Sequence, residues 1–339
     1  MSRSSAVGSS RPYRVVVHGL YYFCEKLPGL LGNEQWDVRH CTYSPVGLAT
    51  LVNDLRRCDL AYTWGGRVTF GKFLWAARSL GKNNIVQLWC GSDVLFAQQQ
   101  LATKRIEPWI AAKVHWAVSP TLADEVRALG LRCEYVQASF VDPVALPKPL
   151  PEQFSVLTYL PSITKGKLYG LDQMLEVAHT LPQIQFNLVG VEEGHVPNAP
   201  PNLKVYPRVQ LTPFLERATV IWRPVRHDGG ISIMVLEALA HGRHVLYSNP
   251  FAACTHVTSA AAARAEIEKL FALHKARRLQ RNDPGMEVVA RSYTSEKVRS
   301  ELRKRWEEII KAPGAGARRA STQATHPSSS NRSASELND

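Results

Sequence analysis

Short, strongly apolar runs rich in β-branched residues alternate along this chain with longer stretches whose apolar residues recur at helical spacing. Residues 13–18 (YRVVVH) form a buried-strand pattern that stops at Gly19. Residues 36–42 give a second strand, and 47–57 read as an amphipathic helix. The pattern continues with strand 60–63, helix 69–80 and strand 84–89. Strand 114–118 then runs into a helix opened by Ser119 and Pro120. A Ser cap accepts a bond from a free helix N–H, and Pro fits the first helical position because it has no N–H to lose. Strands separated by helices of this length imply βαβ units and a parallel sheet.

A joint rich in proline follows at residues 142–152 (DPVALPKPLPE), stiff enough to separate two domains. The alternation then restarts: strand 154–160, helix 170–180, strand 184–189 ending at Gly190, strand 203–206 and helix 212–217. Strand 219–222, helix 231–241 and strand 244–248 complete it. Residues 260–278 form an Ala-rich helix, and 294–311 open on a Thr-Ser cap and carry charge pairs at i,i+4. The fold class expected is therefore α/β, with two tandem Rossmann-like domains around a central cleft. The boundaries fall at 12–145 and 152–293, with a further helix at 294–312. Residues 1–11 read as a disordered arm. Residues 313–339, poor in large apolar side chains, read as a disordered tail.

Length agrees with this division, since 339 residues suit two domains of roughly 150 each. No apolar run approaches the ~20 residues of a membrane helix. The first residues carry Ser and Gly where a signal peptide would be apolar, which points to a cytoplasmic protein. The six cysteines are scattered singly, with no C-x-x-C pair and no zinc spacing, as expected of reduced thiols and of a protein without a metal site. The net charge of +12 is uneven, because residues 275–305 hold ten basic side chains against four acidic ones. That stretch suits an anionic partner, either an acidic membrane surface at the inner face or nucleic acid, or else it only keeps the protein dispersed.

Candidate chemistry concentrates at residues 223–246 (RPVRHDGGISIMVLEALAHGRHVL). Gly229 and Gly230, followed by Ile231 and Ser232 at a helix start, would let backbone N–H groups approach a phosphate. Glu237 shares a helix face with Ile233 and Met234, so its carboxylate needs strong partners. Two ribose hydroxyls would serve, and so would Arg243 or Arg226. Lys165 and Lys167 follow a strand and short loop; from the residues alone they are solvated loop lysines, equally available as cations. Asp93 follows strand 84–89 in Cys90-Gly91-Ser92-Asp93, where it either orients a substrate hydroxyl or caps the next helix.

The segment Glu237-Ala238-Leu239-Ala240-His241-Gly242 resembles the donor-binding motif of retaining GT-B glycosyltransferases, in particular glycosyltransferase family 4. The family's first acid would stand eight positions before Glu237, where this chain has Gly229; Asp228 lies one residue earlier. The resemblance therefore implies a His-Asp-Gly-Gly variant, with His227 and Asp228 in the catalytic place of the first acid and Glu237 on the donor ribose. Lys165-Gly166 resembles the family's lysine on the donor diphosphate, although the arginine often found just upstream is missing from Tyr159-Leu160-Pro161-Ser162. Gly190 would lie beneath the nucleotide and Arg208 near the base. Gly19 with His18, Gly65 with Gly66, and Gly91 with Ser92 would line the acceptor side, with Asp93 beside the reaction.

What the resemblance implies is a metal-independent transferase with a nucleotide-sugar substrate, UDP- or GDP-linked, and no cofactor. Its acceptor is a glycan, a lipid or another hydroxyl, anionic in keeping with the charge. Two other readings stay open: a sugar-nucleotide epimerase of the same fold, and an inactive relative that binds nucleic acid or acts as a scaffold.

Overall fold

The computed structural model describes residues 11–42, 45–192 and 194–312. The tail expected at 313–339 and residues 1–10 of the arm expected at 1–11 lie outside them, while Arg11, the arm's last residue, is described and paired with Asp59. Twelve strands are described: β1 (Tyr13–Gly19), β2 (Trp36–His40), β3 (Leu60–Trp64), β4 (Ile85–Trp89), β5 (Val114–Ala117), β6 (Cys133–Tyr135), β7 (Ser155–Tyr159), β8 (Gln185–Val189), β9 (Leu203–Tyr206), β10 (Val220–Arg223), β11 (His244–Tyr247) and β12 (Thr255–His256). They form two six-stranded parallel sheets, ordered β2-β1-β3-β4-β5-β6 and β12-β11-β10-β7-β8-β9. The strand order reverses between β1 and β3 in the first sheet and between β7 and β10 in the second. Open α/β sheets bind ligands at such reversals, outside the carboxyl ends of the strands.

Each sheet is buried on both faces, which is why its strands read as continuous apolar runs rather than alternating ones. Successive residues still serve opposite faces. Val15 and Val17 join one core of the first domain and Val16 the other. Val156 and Leu157 divide in the same way between the two cores of the second domain.

The main elements fall within a few residues of their expected places. Strands β6 and β12 show no sequence signal because three residues and two are too few to display a period. A helix at Asp283–Ser292 begins Asp-Pro-Gly, which reads as a turn; Pro284 occupies the first turn, and Asn282 caps Gly285 N–H at 3.1 Å. The helix Ser92–Leu101 is the one that Asp93 could cap, to which the sequence reading gave no bounds.

The helix Ser295–Lys311 inserts Val298, Leu302 and Trp306 into the core of the first domain. The Trp306 ring lies 5.9 Å from Trp36 and 5.2 Å from Tyr62. Its path back runs beside the outgoing one: Val141 N–H donates to Tyr293 O at 2.8 Å, and Ser295 N–H to Asp142 at 3.0 Å. Part of the basic stretch is spent on this return. Arg299 and Arg303 donate to the carbonyls of Leu30 and Leu31, the free carbonyl end of a short helix (Leu27–Leu31), at 2.8 and 2.9 Å. Arg305 pairs with Glu301 and with Glu134. No described helix is long and apolar enough to cross a membrane.

Candidate functional site

The first reversal is shaped by glycine. Gly19 closes β1 at φ +140°, and a Cβ there would lie 2.0 Å from the Trp64 carbonyl oxygen, so β1 and β3 can end side by side only without a side chain. Gly65 follows at φ +125° with open space beside it, and a Cβ on Gly66 would strike the Trp89 ring. His18 turns its ring into the first domain, stacked on Phe73 at 4.7 Å with Nδ1 3.3 Å from Cys41 O, and burial lowers its pKa. The exposed Tyr21 and the more sheltered Tyr22 follow at the end of β1, with Lys26 over the Tyr22 ring at 3.8 Å.

Asp93, expected beside the reaction, is occupied otherwise. Its two oxygens accept from the backbone N–H groups of Gly66 at 2.7 Å, Cys90 at 3.0 Å, Gly91 at 2.8 Å and Val94 at 3.1 Å. Burial raises its pKa, and the backbone N–H groups of Gly66, Cys90 and Gly91 oppose the rise. The carboxylate ties the Gly65-Gly66 loop to the start of the helix at Ser92. Asp93→Ala is therefore expected to lower the melting temperature by removing about 2–3 kcal/mol, the scale of charge-assisted hydrogen bonds lost in a buried setting. An unchanged melt would show the carboxylate is not holding these loops.

In the second domain, Lys165 ends a short turn (Ile163–Lys165), and both it and Lys167 are exposed. Gly190 closes β8 at φ +114°, where a Cβ would sit 2.3 Å from Leu160 O. Arg208 is exposed in the loop after β9. The following helix begins at Ile233, two residues later than expected, with Ser232 in extended conformation before it. Gly229 and Gly230 thus do not sit at that helix's N-terminus as the sequence reading had them. They turn ahead of it and meet the first domain: a Cβ on Gly229 would lie 2.2 Å from Gly91 Cα, and one on Gly230 2.7 Å from the Val118 side chain.

Asp228 is held from its own domain. The Tyr247 hydroxyl donates to it at 2.9 Å and the Arg223 guanidinium at 3.3 Å. Burial opposes the charge on Arg223, but Asp228, Tyr169 and Tyr247 outweigh it, so its pKa rises. Its guanidinium also lies over the Tyr169 ring at 4.6 Å. His227 Nε2 reaches Glu125 of the first domain at 2.9 Å.

Glu237 stands apart. Its carboxylate is largely buried, and it accepts no hydrogen bond among the described residues. The two arginines that could have paired with it are engaged elsewhere. Arg243 donates to the carbonyls of Pro149, Lys148 and Glu216, and Arg226 pairs with Asp172. Burial pushes the Glu237 carboxyl up, opposed only by Lys26 from the facing domain. A buried carboxylate in this position lacks the partners that normally offset its desolvation.

The structure therefore gathers Asp228, His227 and the two glycines with the ends of β4 and β5, while Glu237 stands opposite Lys26 of the first domain and Lys165, Lys167 and Arg208 lie exposed on the second. Sequence reasoning missed Arg223, Tyr247, Glu125 and Lys26. Only Arg223 carried a signal, as a charge ending the apolar run Val220-Ile221-Trp222. Among the described residues no three His, Cys, Asp or Glu side chains cluster in a metal-binding arrangement.

No protein-family model matches this chain, and no curated protein matches it in sequence. Solved structures match in fold. Anabaena HepE (Alr3699) in complex with UDP-glucose superposes with a TM-score of 0.63 at 11% identity, covering 87% of this chain and 99% of that one. A glycosyltransferase from Rickettsia africae ESF-5 gives 0.61 at 11% identity over 89% of this chain and 100% of its own. The pneumococcal O-GlcNAc transferase GtfA, in complex with UDP and GlcNAc, gives 0.53 at 11% identity over 78% of this chain. This chain spans only 60% of GtfA's length. The shared feature is the fold, two facing parallel-sheet domains.

Proposed function

We propose that this chain is a glycosyltransferase that moves a sugar from a UDP-linked donor to an acceptor hydroxyl, retaining the anomeric configuration. The observation that carries this reading is the Glu237 carboxylate, half-buried on the second domain without a hydrogen-bond partner among the described residues, with only a lysine of the first domain to favour its charge. Two vicinal hydroxyls of a ribose would supply the donors it lacks. The fold shared with structures holding UDP, UDP-glucose and GlcNAc supports the choice of uridine over guanosine.

In this reading the diphosphate lies over Lys165 and Lys167, with Arg208 near the base and Gly190 beneath the nucleotide. Positive charge there stabilises the leaving diphosphate as the sugar–oxygen bond breaks, and the acceptor attacks within a preorganised cleft. These residues need no bound metal for that part. Asp228 and His227 shape the turn at the transferred sugar, and the acceptor enters between the Gly19, Gly65-Gly66 and Gly91 loops, over Tyr21 and Tyr22. A glycan, lipid or other anionic acceptor fits the surplus positive charge, and the remaining free basic residues of 275–305 offer the contact to an anionic surface.

Thermal melts against UDP-, GDP-, ADP- and dTDP-sugars without metal test the reading. A ligand at about 100 times its Kd adds ~2.7 kcal/mol. A shift with the uridine series alone supports it, and no shift with any nucleotide sinks it. Replacing Lys165 and Lys167 together by Ala is expected to weaken UDP about tenfold while leaving uridine binding unchanged, since only the phosphates meet them. Equal weakening of both ligands by calorimetry would remove the lysines from the diphosphate.

A further inference from the structure

The turn His227–Gly230 of the second domain is gripped by the first through both side chains and bare backbone. Ser119 Oγ donates to Gly229 O at 2.5 Å, while also accepting from Leu122 N–H at the start of its own helix. Glu125, nearly two turns further along that helix (Pro120–Ala128), holds His227 Nε2 at 2.9 Å. Gly91 and Gly229 meet backbone to backbone, so close that a Cβ on either would lie under 3 Å from the other. On its inner side the same turn is anchored by Asp228, through Tyr247 and Arg223.

We infer that the His227–Gly230 turn is an interdomain latch, in which Ser119 and Glu125 of the first domain act as positioning residues for the second. The spacing of the segment supports this. Asp228 stands nine positions before Glu237, one more than the resemblance calls for, and the extra residue is a glycine at the point of contact. The longer turn lets Asp228 point back to its own domain while Gly229 reaches across. Two hydrogen bonds and a glycine contact make a small polar interface, of the kind that opens and closes. Closure and shaping of the donor side are then one event, and the first domain sets the conformation of a turn it does not contain. The latch itself stands on these contacts; only what the positioned turn acts on rests on the proposed glycosyl transfer.

Gly229→Ala is a selective wedge. Gly229 is not in the left-handed region, so alanine strains nothing in an open molecule, but its Cβ collides with Gly91 when the latch closes. Small-angle X-ray scattering of the ligand-free full chain should give a larger radius of gyration for Gly229→Ala and for Glu125→Ala than for the native protein, with native-like circular dichroism. Should the glycine variant misfold, Glu125→Ala alone decides, because Glu125 lies on the surface of a helix. Scattering identical to the native protein in folded variants overturns the latch. A second readout separates positioning from mere stability. With UDP-sugar, Gly229→Ala should keep nucleotide affinity within about twofold and lose turnover about a hundredfold, as expected for a misplacement of about 1 Å. Turnover unchanged in a variant that does open shows that the turn is not positioned by the first domain. If the native chain binds no nucleotide, the proposed transfer fails while the scattering comparison still decides the latch.

Discussion

Glu237→Gln is expected to raise the melting temperature of the ligand-free protein and, in the same variant, to weaken UDP-sugar binding about a hundredfold. The two effects share one cause. The carboxylate is half-buried with no hydrogen-bond partner among the described residues, and a neutral amide costs less to desolvate than a charge. A gain of about 1 kcal/mol corresponds to ~2–4 °C at this domain size. The pH dependence fixes the sign. Burial raises the folded-state pKa of Glu237, so between the usual carboxylate range and that raised value the folded state keeps a proton that the unfolded chain has released. Stability contributed by the protonated group is complete in acid and declines as pH rises through this window. The variant's advantage should therefore appear at neutral pH and vanish in acid. The affinity loss follows from the other side, since an amide oxygen accepts from hydroxyls more weakly than a carboxylate, on the scale of 1.5–3 kcal/mol. Melts of both proteins in acid and at neutral pH, with and without UDP-sugar, check this. A variant less stable than native at neutral pH, or one with native nucleotide affinity, would remove Glu237 from the donor site.

Trp306→Ala should destabilise the first domain by about 3–5 kcal/mol, the cost of deleting a large buried aromatic. The ring is 0% exposed, packs against Trp36 and Tyr62, and its indole N–H has no partner, so the loss is one of packing alone. The helix Ser295–Lys311 meets the core through Val298, Leu302 and Trp306 at intervals of four, and removing the largest of the three should loosen it as a unit. Denaturant unfolding measures the free energy, and faster proteolysis within the helix reports its release. A loss below about 1 kcal/mol would mean that the helix only rests on the domain.

The fold was legible because parallel strands buried on both faces leave a strong mark, as at 13–18 and 154–160, and because the helices between them carry caps such as Ser119-Pro120. What the sequence could not display were elements too short for a period and a helix opening on Asp-Pro-Gly. Glu237 was legible as a charge on an apolar helix face, but its lack of a partner was not. Arg226 and Arg243 are near it in sequence and are drawn away by Asp172 and by backbone carbonyls brought in from residues 148, 149 and 216. The same limit hid Glu125, which meets His227 across 102 positions of chain, and it left Asp93 between two readings, of which the capping one matches the backbone donors on its oxygens.

The return of the helix Ser295–Lys311 also orders events on the ribosome. The first domain is synthesised first, yet its core lacks Val298, Leu302 and Trp306 until the whole second domain has been made. Domains generally fold as units as the chain emerges, the earlier one leading. Here the lobe that leads cannot finish, and the surface around Trp36 and Tyr62 stays uncovered while some 150 further residues are added. The first domain's exposure to aggregation therefore lasts through the synthesis of the second, and the helix Ser295–Lys311 is the element that ends it.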